Sequence, residues 1–281
     1  MRSGQALACR QQKEQTNMDI RRACENFYWK AQKILVPSLK YSQTIYEEFL
    51  LSYSSKVGRW LDLGCGHQLL PPWRLDQEHS LAAKPHLLIG LDYDYKSLRN
   101  HKTIKHLIQG DISSLPFASE TFDLITANMV FEHLNDPQKQ LSEIFRILKP
   151  GGSLVFHTPN SMSYGTFLAK AIPETLKLKM IWFLQHRKEE DVFPTYYRFN
   201  TEKGIRKLAE RVGFKIGALR LIVSSAQFVM IPPLVIFELL LIRLLMMPFA
   251  RCFRTNIIAC LIKPKKNLYT NRLGLSNSDV R

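Results

Sequence analysis

Apolar and polar residues follow two rhythms along this chain. Between residues 17 and 53, apolar and aromatic side chains recur at three- and four-residue spacing: Phe27, Ala31, Ile34 and Leu35, then Ile45, Phe49 and Leu50, with Pro37 between the sets. That spacing predicts two helices. Short apolar runs bounded by turn residues then take over, at 59–63, 86–91, 106–109, 122–127 and 153–158, with helical patterns between them. Strands alternating with helices predict a parallel sheet in an α/β fold. The clearest helix sets Leu141, Ile144, Phe145 and Leu148 on one face and is expected to stop at Pro150-Gly151-Gly152.

After the fifth run the rhythm breaks. Residues 161–200 are rich in aromatic and basic side chains and are expected to face a substrate; a helix over 201–212, closed by Gly213, follows. Residues 221–237 carry no charge, and beyond Glu238 and Arg243 another apolar run reaches 250. Its length suggests a membrane, but Pro232-Pro233 is expected to break a single helix and two charges fall inside the span, which argues against a conventional transmembrane helix. A last apolar run, 256–262, predicts a final strand, and 267–281 is polar.

Composition narrows the partners. Hydrophobic residues make up 46% of the 281 positions, ordinary for a globular protein, and the formal net charge is +15. An excess of this sign favours nucleic acid, anionic headgroups or phosphorylated substrates. From Leu240 onward the basic residues face Asp279 alone, while elsewhere they are scattered without a nucleic-acid motif, so nucleic acid is the disfavoured partner. The five cysteines are far apart, without a Cys-x-x-Cys pair, which argues against a disulfide framework and against a metal site. Residues 1–13 lack the apolar stretch of a secretory leader, and the expected location is cytoplasmic.

The candidate chemistry lies at the ends of the predicted strands. Asp62-Leu63-Gly64-Cys65-Gly66 follows the first strand, and glycines there let backbone approach a ligand that a Cβ would obstruct. Such loops also serve nicotinamide and flavin cofactors. The acid inside this loop points elsewhere, because a carboxylate beside pyrophosphate is unfavourable whereas a cationic sulfonium with a free ammonium tolerates it. Asp92, with Asp94 as its rival, ends the second strand, where a carboxylate can accept from two ribose hydroxyls. Gln109-Gly110-Asp111-Ile112 follows the third, placing a carboxylate near an adenine amino group and an apolar side chain against the base. Each aspartate alone has an alternative as a turn former or helix cap.

Together with Phe122-Asp123-Leu124-Ile125, Glu132-His133-Leu134 and Leu148-Lys149-Pro150-Gly151-Gly152, these motifs resemble the class I S-adenosylmethionine-dependent methyltransferases, of the type-11 kind, over roughly residues 56–262. The resemblance implies a doubly wound, mainly parallel seven-stranded sheet with N-terminal helices, 256–262 as its antiparallel member, and residues 227–250 as an apolar insertion before that strand. It implies S-adenosylmethionine as cofactor, with Asp62, Gly64, Cys65 and Gly66 along its methionine part, Asp92 and neighbouring Tyr93 at the ribose, Asp111 and Ile112 at the adenine, and Asn128 in the loop after the fourth strand. Where many members have a third glycine, this chain has Gln68.

Methyl transfer from a sulfonium asks the protein chiefly to align acceptor and methyl. An oxygen acceptor would gain from a general base, for which His133 and His157 are the candidates, each with a structural alternative. Tyr164, Tyr196, Tyr197 and Arg198, with His186 and Asp191, are candidates for acceptor contacts. The stretch 189–201 resembles one in bacterial methyltransferases that act on polysaccharide or lipid-linked sugars, whereas the core also resembles quinone and prenyl-lipid methyltransferases. The expectation is therefore a methyltransferase acting on a small-molecule, glycan or lipid-linked acceptor, with a non-catalytic membrane adaptor as the alternative of a different class. The expected organisation is a polar tail (1–16), a helical cap (17–56), a methyltransferase domain (57–266) and a polar tail (267–281), with 227–266 open to peripheral contact with the inner face of a membrane.

Overall fold

In the computed structural model the described backbone covers residues 2–54, 57–171 and 194–265. His186 and Asp191 lie outside it, as do most of 161–200 and the tail 267–281. The chain divides into two compact units, one of Met1–Ser42, Asn160–Pro194 and Leu221–Asn256, the other of Gln43–Pro159, Thr195–Arg220 and Ile257–Arg281. The segment read as one helical cap is thus split: α1 (Arg2–Leu35) belongs to the first unit and α2 (Ser42–Ser54) almost entirely to the second. Helix α1 also begins within the stretch read as a polar tail.

A sheet of β1 (Arg59–Leu63), β2 (Leu87–Asp92), β3 (His106–Gln109), β4 (Phe122–Asn128), β5 (Leu148–Pro159), β6 (Lys215–Ile222) and β7 (Asn256–Ile262) has the order β3-β2-β1-β4-β5-β7-β6. Strands β1 to β5 pair in parallel, and chain order reverses on the two sides of β1. In such sheets ligands bind at that reversal, beyond the carboxyl ends of the strands. Trp60, Leu61 and Leu63 are fully buried in β1, as a central strand covered on both faces requires. The alternating elements are α3 (Leu75–Ala82), α4 (Tyr95–Arg99) and α5 (Pro137–Ile147), then α6 (Tyr164–Ala171), α7 (Glu202–Val212) and α8 (Pro232–Leu245).

Sequence pattern and structure part at three places. Helix α5, capped by Asp136 through the Lys139 N–H and buried along Leu141, Ile144 and Ile147, ends before the Pro-Gly-Gly run because β5 has already begun at Leu148. Gly151, at φ 85°, and Gly152 form an irregularity within that strand instead of a loop. The Gly151 N–H donates to Lys263 O (2.8 Å) and the Lys263 N–H to Gly152 O (2.9 Å), pairing the start of β5 with the end of β7 as an antiparallel neighbour must. Strand β6 had no separate signal: its burial alternates poorly and its end runs into the uncharged stretch. Finally, Pro232-Pro233 starts α8 rather than breaking it, because proline's missing N–H costs nothing in a first turn.

In the first unit, Tyr28 and Ala31 of α1, Val223, Ala226, and Val235, Leu239, Ile242 and Leu245 of α8 share one apolar core. Glu238 is buried there and explains its own presence in an apolar helix. It accepts from the Tyr164 hydroxyl (2.7 Å) and from the N–H groups of Gln227 (2.8 Å) and Phe228 (2.9 Å), organising the entry to α8. Arg254 closes the other end, donating to the carbonyls of Leu245, Met246 and Leu221. Among the described residues no helix is long and apolar enough to cross a membrane.

Lys263 in the second unit is buried, its ammonium donating to the carbonyls of Phe145 (2.8 Å) and Leu148 (2.7 Å) and lying 4.7 Å from the Phe145 ring centroid. It ties β7 to the α5–β5 junction. Lys263→Met keeps the length and strands two carbonyls, so the urea midpoint should fall by an amount equivalent to about 1–3 kcal/mol with an unchanged slope. An unmoved midpoint would show that the junction holds without it.

Candidate functional site

Register sets the site. Leu63 pairs with Leu91 and with Ala127, Asp92 with Gln109, and Asn128 with His157, so the residues leaving these strands emerge side by side along one sheet edge. All belong to the second unit.

At its centre Asp62 is buried in the sheet. It accepts from the Thr126 hydroxyl, which in turn accepts from the Trp60 indole N–H (2.7 Å). Burial lifts the Asp62 carboxyl to about 7 despite the Thr126 bond, with Asp92 and Glu78 adding to the rise. The chain then turns sharply. Gly64, at φ 62°, passes so close to Val130 that a Cβ would lie 2.4 Å from its Cγ2. Gly66, at φ 55°, has nothing within 4 Å of where a Cβ would stand, so the loop borders open space. Cys65 contributes only backbone to that edge: its side chain is buried against Gly90, and burial pushes the thiol well above the ordinary range. Gln68 is not among the left-handed residues, so the glycine carried there by many class I relatives is not demanded by this backbone.

Asp92 binds the first two loops together. One carboxylate oxygen accepts from the Gly66 N–H (2.8 Å), the other from the Asp94 N–H (2.8 Å). Asp94 is committed as the cap of α4, accepting from the N–H groups of Lys96 and Ser97 and from the Ser97 hydroxyl, whose bond heads the causes that lower its carboxyl. This settles the choice between the two acids in favour of Asp92. Tyr93 between them is exposed, and its carbonyl accepts from the Gln109 amide (3.1 Å). Asp111 lies exposed beyond β3, held below the usual carboxylate range by the Ser113 N–H, with Ile112 partly buried beside it.

On the far side of β1, Asn128 sits in a clamp. Its amide exchanges hydrogen bonds with that of Gln43 on α2, and its Oδ1 lies 2.9 Å from His157 Nδ1. His157 is buried, stacks on Tyr46 with centroids 5.6 Å apart, and is held by desolvation at about 3. At neutral pH it is uncharged and a poor proton acceptor. His133 is different: its side chain is 31% exposed and its Nε2 stands 4.0 Å from a Glu132 carboxylate oxygen.

Three residues outside the sequence reading complete this side. Glu132 is buried and accepts from the Thr158 hydroxyl (2.9 Å), which accepts from the Asn200 amide (2.7 Å). The Glu132 carbonyl accepts from the Tyr196 and Tyr197 N–H groups, and Phe199 packs against Phe131. Tyr196, Tyr197 and Arg198 are thereby fixed beside the turn bearing His133, Arg198 stacking 5.7 Å over the Tyr196 ring. Tyr164 belongs to the first unit, where Glu238 takes its hydroxyl. Among the described residues no cluster of His, Cys, Asp or Glu could hold a metal ion.

A family described as "Methyltransferase domain" matches residues 61–156, from β1 into β5. Curated relatives include a methyltransferase of Schizosaccharomyces pombe, 32% identical over 114 residues (37% of this chain, 41% of that protein). A demethylmenaquinone methyltransferase of Renibacterium salmoninarum is 34% identical over 83 residues (28% and 35%), and a malonyl-[acyl-carrier protein] O-methyltransferase of Coxiella burnetii 38% over 72 (26% and 25%). The chain thus spans well under half the length of these relatives. A methyltransferase solved in complex with the Haloferax volcanii Trm112 activator has the same fold, with a TM-score of 0.53 at 18% identity over 79% of this chain and 90% of that one.

The buried groups predict opposing pH dependences. An acid whose folded value is raised favours the fold while protonated, so the Asp62 contribution is complete below about pH 4 and lost as pH rises through about 7. His157, depressed to about 3, contributes fully above about 6.5 and loses that contribution as pH falls. Asp62→Asn should therefore gain stability relative to the parent from pH 4 to 7 in cofactor-free urea titrations. Parallel profiles would remove Asp62 as the source of the slope.

Proposed function

We propose that this chain, whose central domain belongs to the class I S-adenosylmethionine-dependent methyltransferases, transfers a methyl group to an oxygen of a small-molecule, glycan or lipid-linked acceptor. The observation that carries this reading is the row of Asp62, Gly64, Gly66, Asp92, Asp111 and Asn128 along one edge of the sheet, beside the open space at Gly66. S-adenosylmethionine, when bound, supplies a methyl group already activated on sulfur.

Asp62 would face the cationic methionine end, and the residue's lifted carboxyl fits, because a neighbouring cation recovers the ionised form that burial disfavours. Asp92 retains acceptor capacity for the ribose hydroxyls after its two backbone bonds. Asp111 and Ile112 would hold the adenine, and Tyr93 would lie beside the ribose. His133, partly exposed beside Glu132, is the residue we assign to accept the acceptor's proton; buried His157 instead positions Asn128. Tyr196, Tyr197 and Arg198 are assigned to the acceptor. The same reading sets the protein on the cytoplasmic side of a membrane, where a lipid-linked acceptor is met.

The similarity to a demethylmenaquinone methyltransferase favours a second acceptor class, a quinone or other prenyl lipid. Calorimetric titration with S-adenosylmethionine and S-adenosylhomocysteine tests the cofactor: absence of binding by both would overturn the assignment. Asp92→Ala should weaken binding by about one to two orders of magnitude, since hydrogen bonds to a charged acceptor and the Gly66 anchor go together. Near pH 7 the titration should also release protons as Asp62 ionises, read as heats that change with the buffer's ionisation enthalpy. Labelled methyl transfer across lipid and glycan extracts separates the acceptor classes, and binding without turnover on any extract would identify an adaptor instead. His133→Gln should lower turnover by about two orders of magnitude or more while leaving cofactor affinity unchanged.

A further inference from the structure

Helix α8 is apolar on both sides, and only one side is used. Val235, Glu238, Leu239, Ile242 and Leu245, three or four positions apart, are buried in the first unit. The opposite face presents Leu234, Phe237, Leu241 and Leu244, and the turn after the helix adds Phe249 and Phe253. Phe237 and Phe249 are 70% and 72% exposed. A helix ordinarily turns charged residues to water on its outer face. A run of large exposed apolar side chains of this kind marks an interaction surface.

The charges on this strip have one sign. Arg243 and Arg251 are exposed, whereas the acid of the helix, Glu238, is buried and engaged by Tyr164, Gln227 and Phe228. Pairing the strip with a second copy of itself would bring guanidinium groups towards one another without a carboxylate to answer them. A layer of anionic headgroups over hydrocarbon answers both features, the arginines meeting phosphate and the aromatic and aliphatic side chains entering the acyl boundary. Fourteen residues give α8 a length of about 21 Å, short of the roughly 30 Å hydrocarbon core, so the helix lies along such a surface.

We propose that the outer face of α8, with the turn Pro248–Phe253, docks this protein on an anionic lipid bilayer. This rests on the membrane-side part of the reading above and not on methyl transfer itself. The test is flotation of the full chain with vesicles of phosphatidylcholine alone and of phosphatidylcholine with phosphatidylglycerol, with cofactor binding measured on the same preparations. The parent should float with the anionic vesicles. Phe237→Ser/Phe249→Ser and Arg243→Gln/Arg251→Gln should each weaken partitioning by about tenfold or more. All these side chains are exposed, so both variants should keep the parent's circular dichroism and S-adenosylmethionine affinity. A parent that stays at the bottom with both vesicles overturns the docking surface, as does flotation unaltered by either variant. A parent that sediments as a dimer, dissociated by Phe237→Ser/Phe249→Ser, overturns it in favour of a second copy. Loss of cofactor binding with flotation intact would count against the methyltransferase reading and leave docking standing.

Discussion

A carboxylate placed in the dry middle of the sheet sets the conditions for everything around it. Asp62 ends the central strand, and the groups within reach give it a single hydroxyl, that of Thr126, which the Trp60 indole already orients. That arrangement joins β1 to β4 by side chains as well as backbone. It also leaves the acid incompletely compensated, and a partly compensated buried acid is most stable either protonated or beside a cation. The edge of the sheet thus carries a stored preference for positive charge before any ligand arrives, alongside glycines that keep the space next to it open.

Asp92 turns that preference into a shaped edge. Because its two oxygens hold the Gly66 and Asp94 N–H groups, the glycine turn after β1 and the start of α4 are placed by the same side chain. Binding geometry and loop geometry share one residue there. The opposite side uses a different device, a clamp of Gln43, Asn128, His157 and Tyr46 in which an uncharged histidine serves as a spacer. One flank is thus organised by charge and backbone donors, the other by neutral amides and stacked rings.

Much of this was legible in the residues because it is local. Strands β1, β3 and β7 fall where the apolar runs put them, since each run is bounded by turn chemistry on both sides. The aspartates at strand ends declare themselves for the same reason. What stayed hidden depends on partners distant in the chain. The line from Glu132 through Thr158 to Asn200 draws on three separate segments, none distinctive alone. Strand β6 lacks an inner face to impose a period, so its end merged with the uncharged stretch that follows. Pro232-Pro233 misled because proline reads as a breaker inside a helix and as a starter at its first turn, and the pattern does not say where the helix begins. Burial, in turn, decides between the two histidines, and spacing carries no record of it.

The cysteine inside the loop has a consequence for how this sequence can vary. A Cβ on Gly90 would stand 2.7 Å from the Cys65 sulfur and 2.9 Å from Leu107, so the thiol occupies the volume that glycine vacates on the neighbouring strand. Positions 65 and 90 therefore share one volume. A larger residue at 90 becomes admissible only where 65 shrinks and Leu107 gives way, which makes the three covary as a unit while the aspartates that flank them are free to stay.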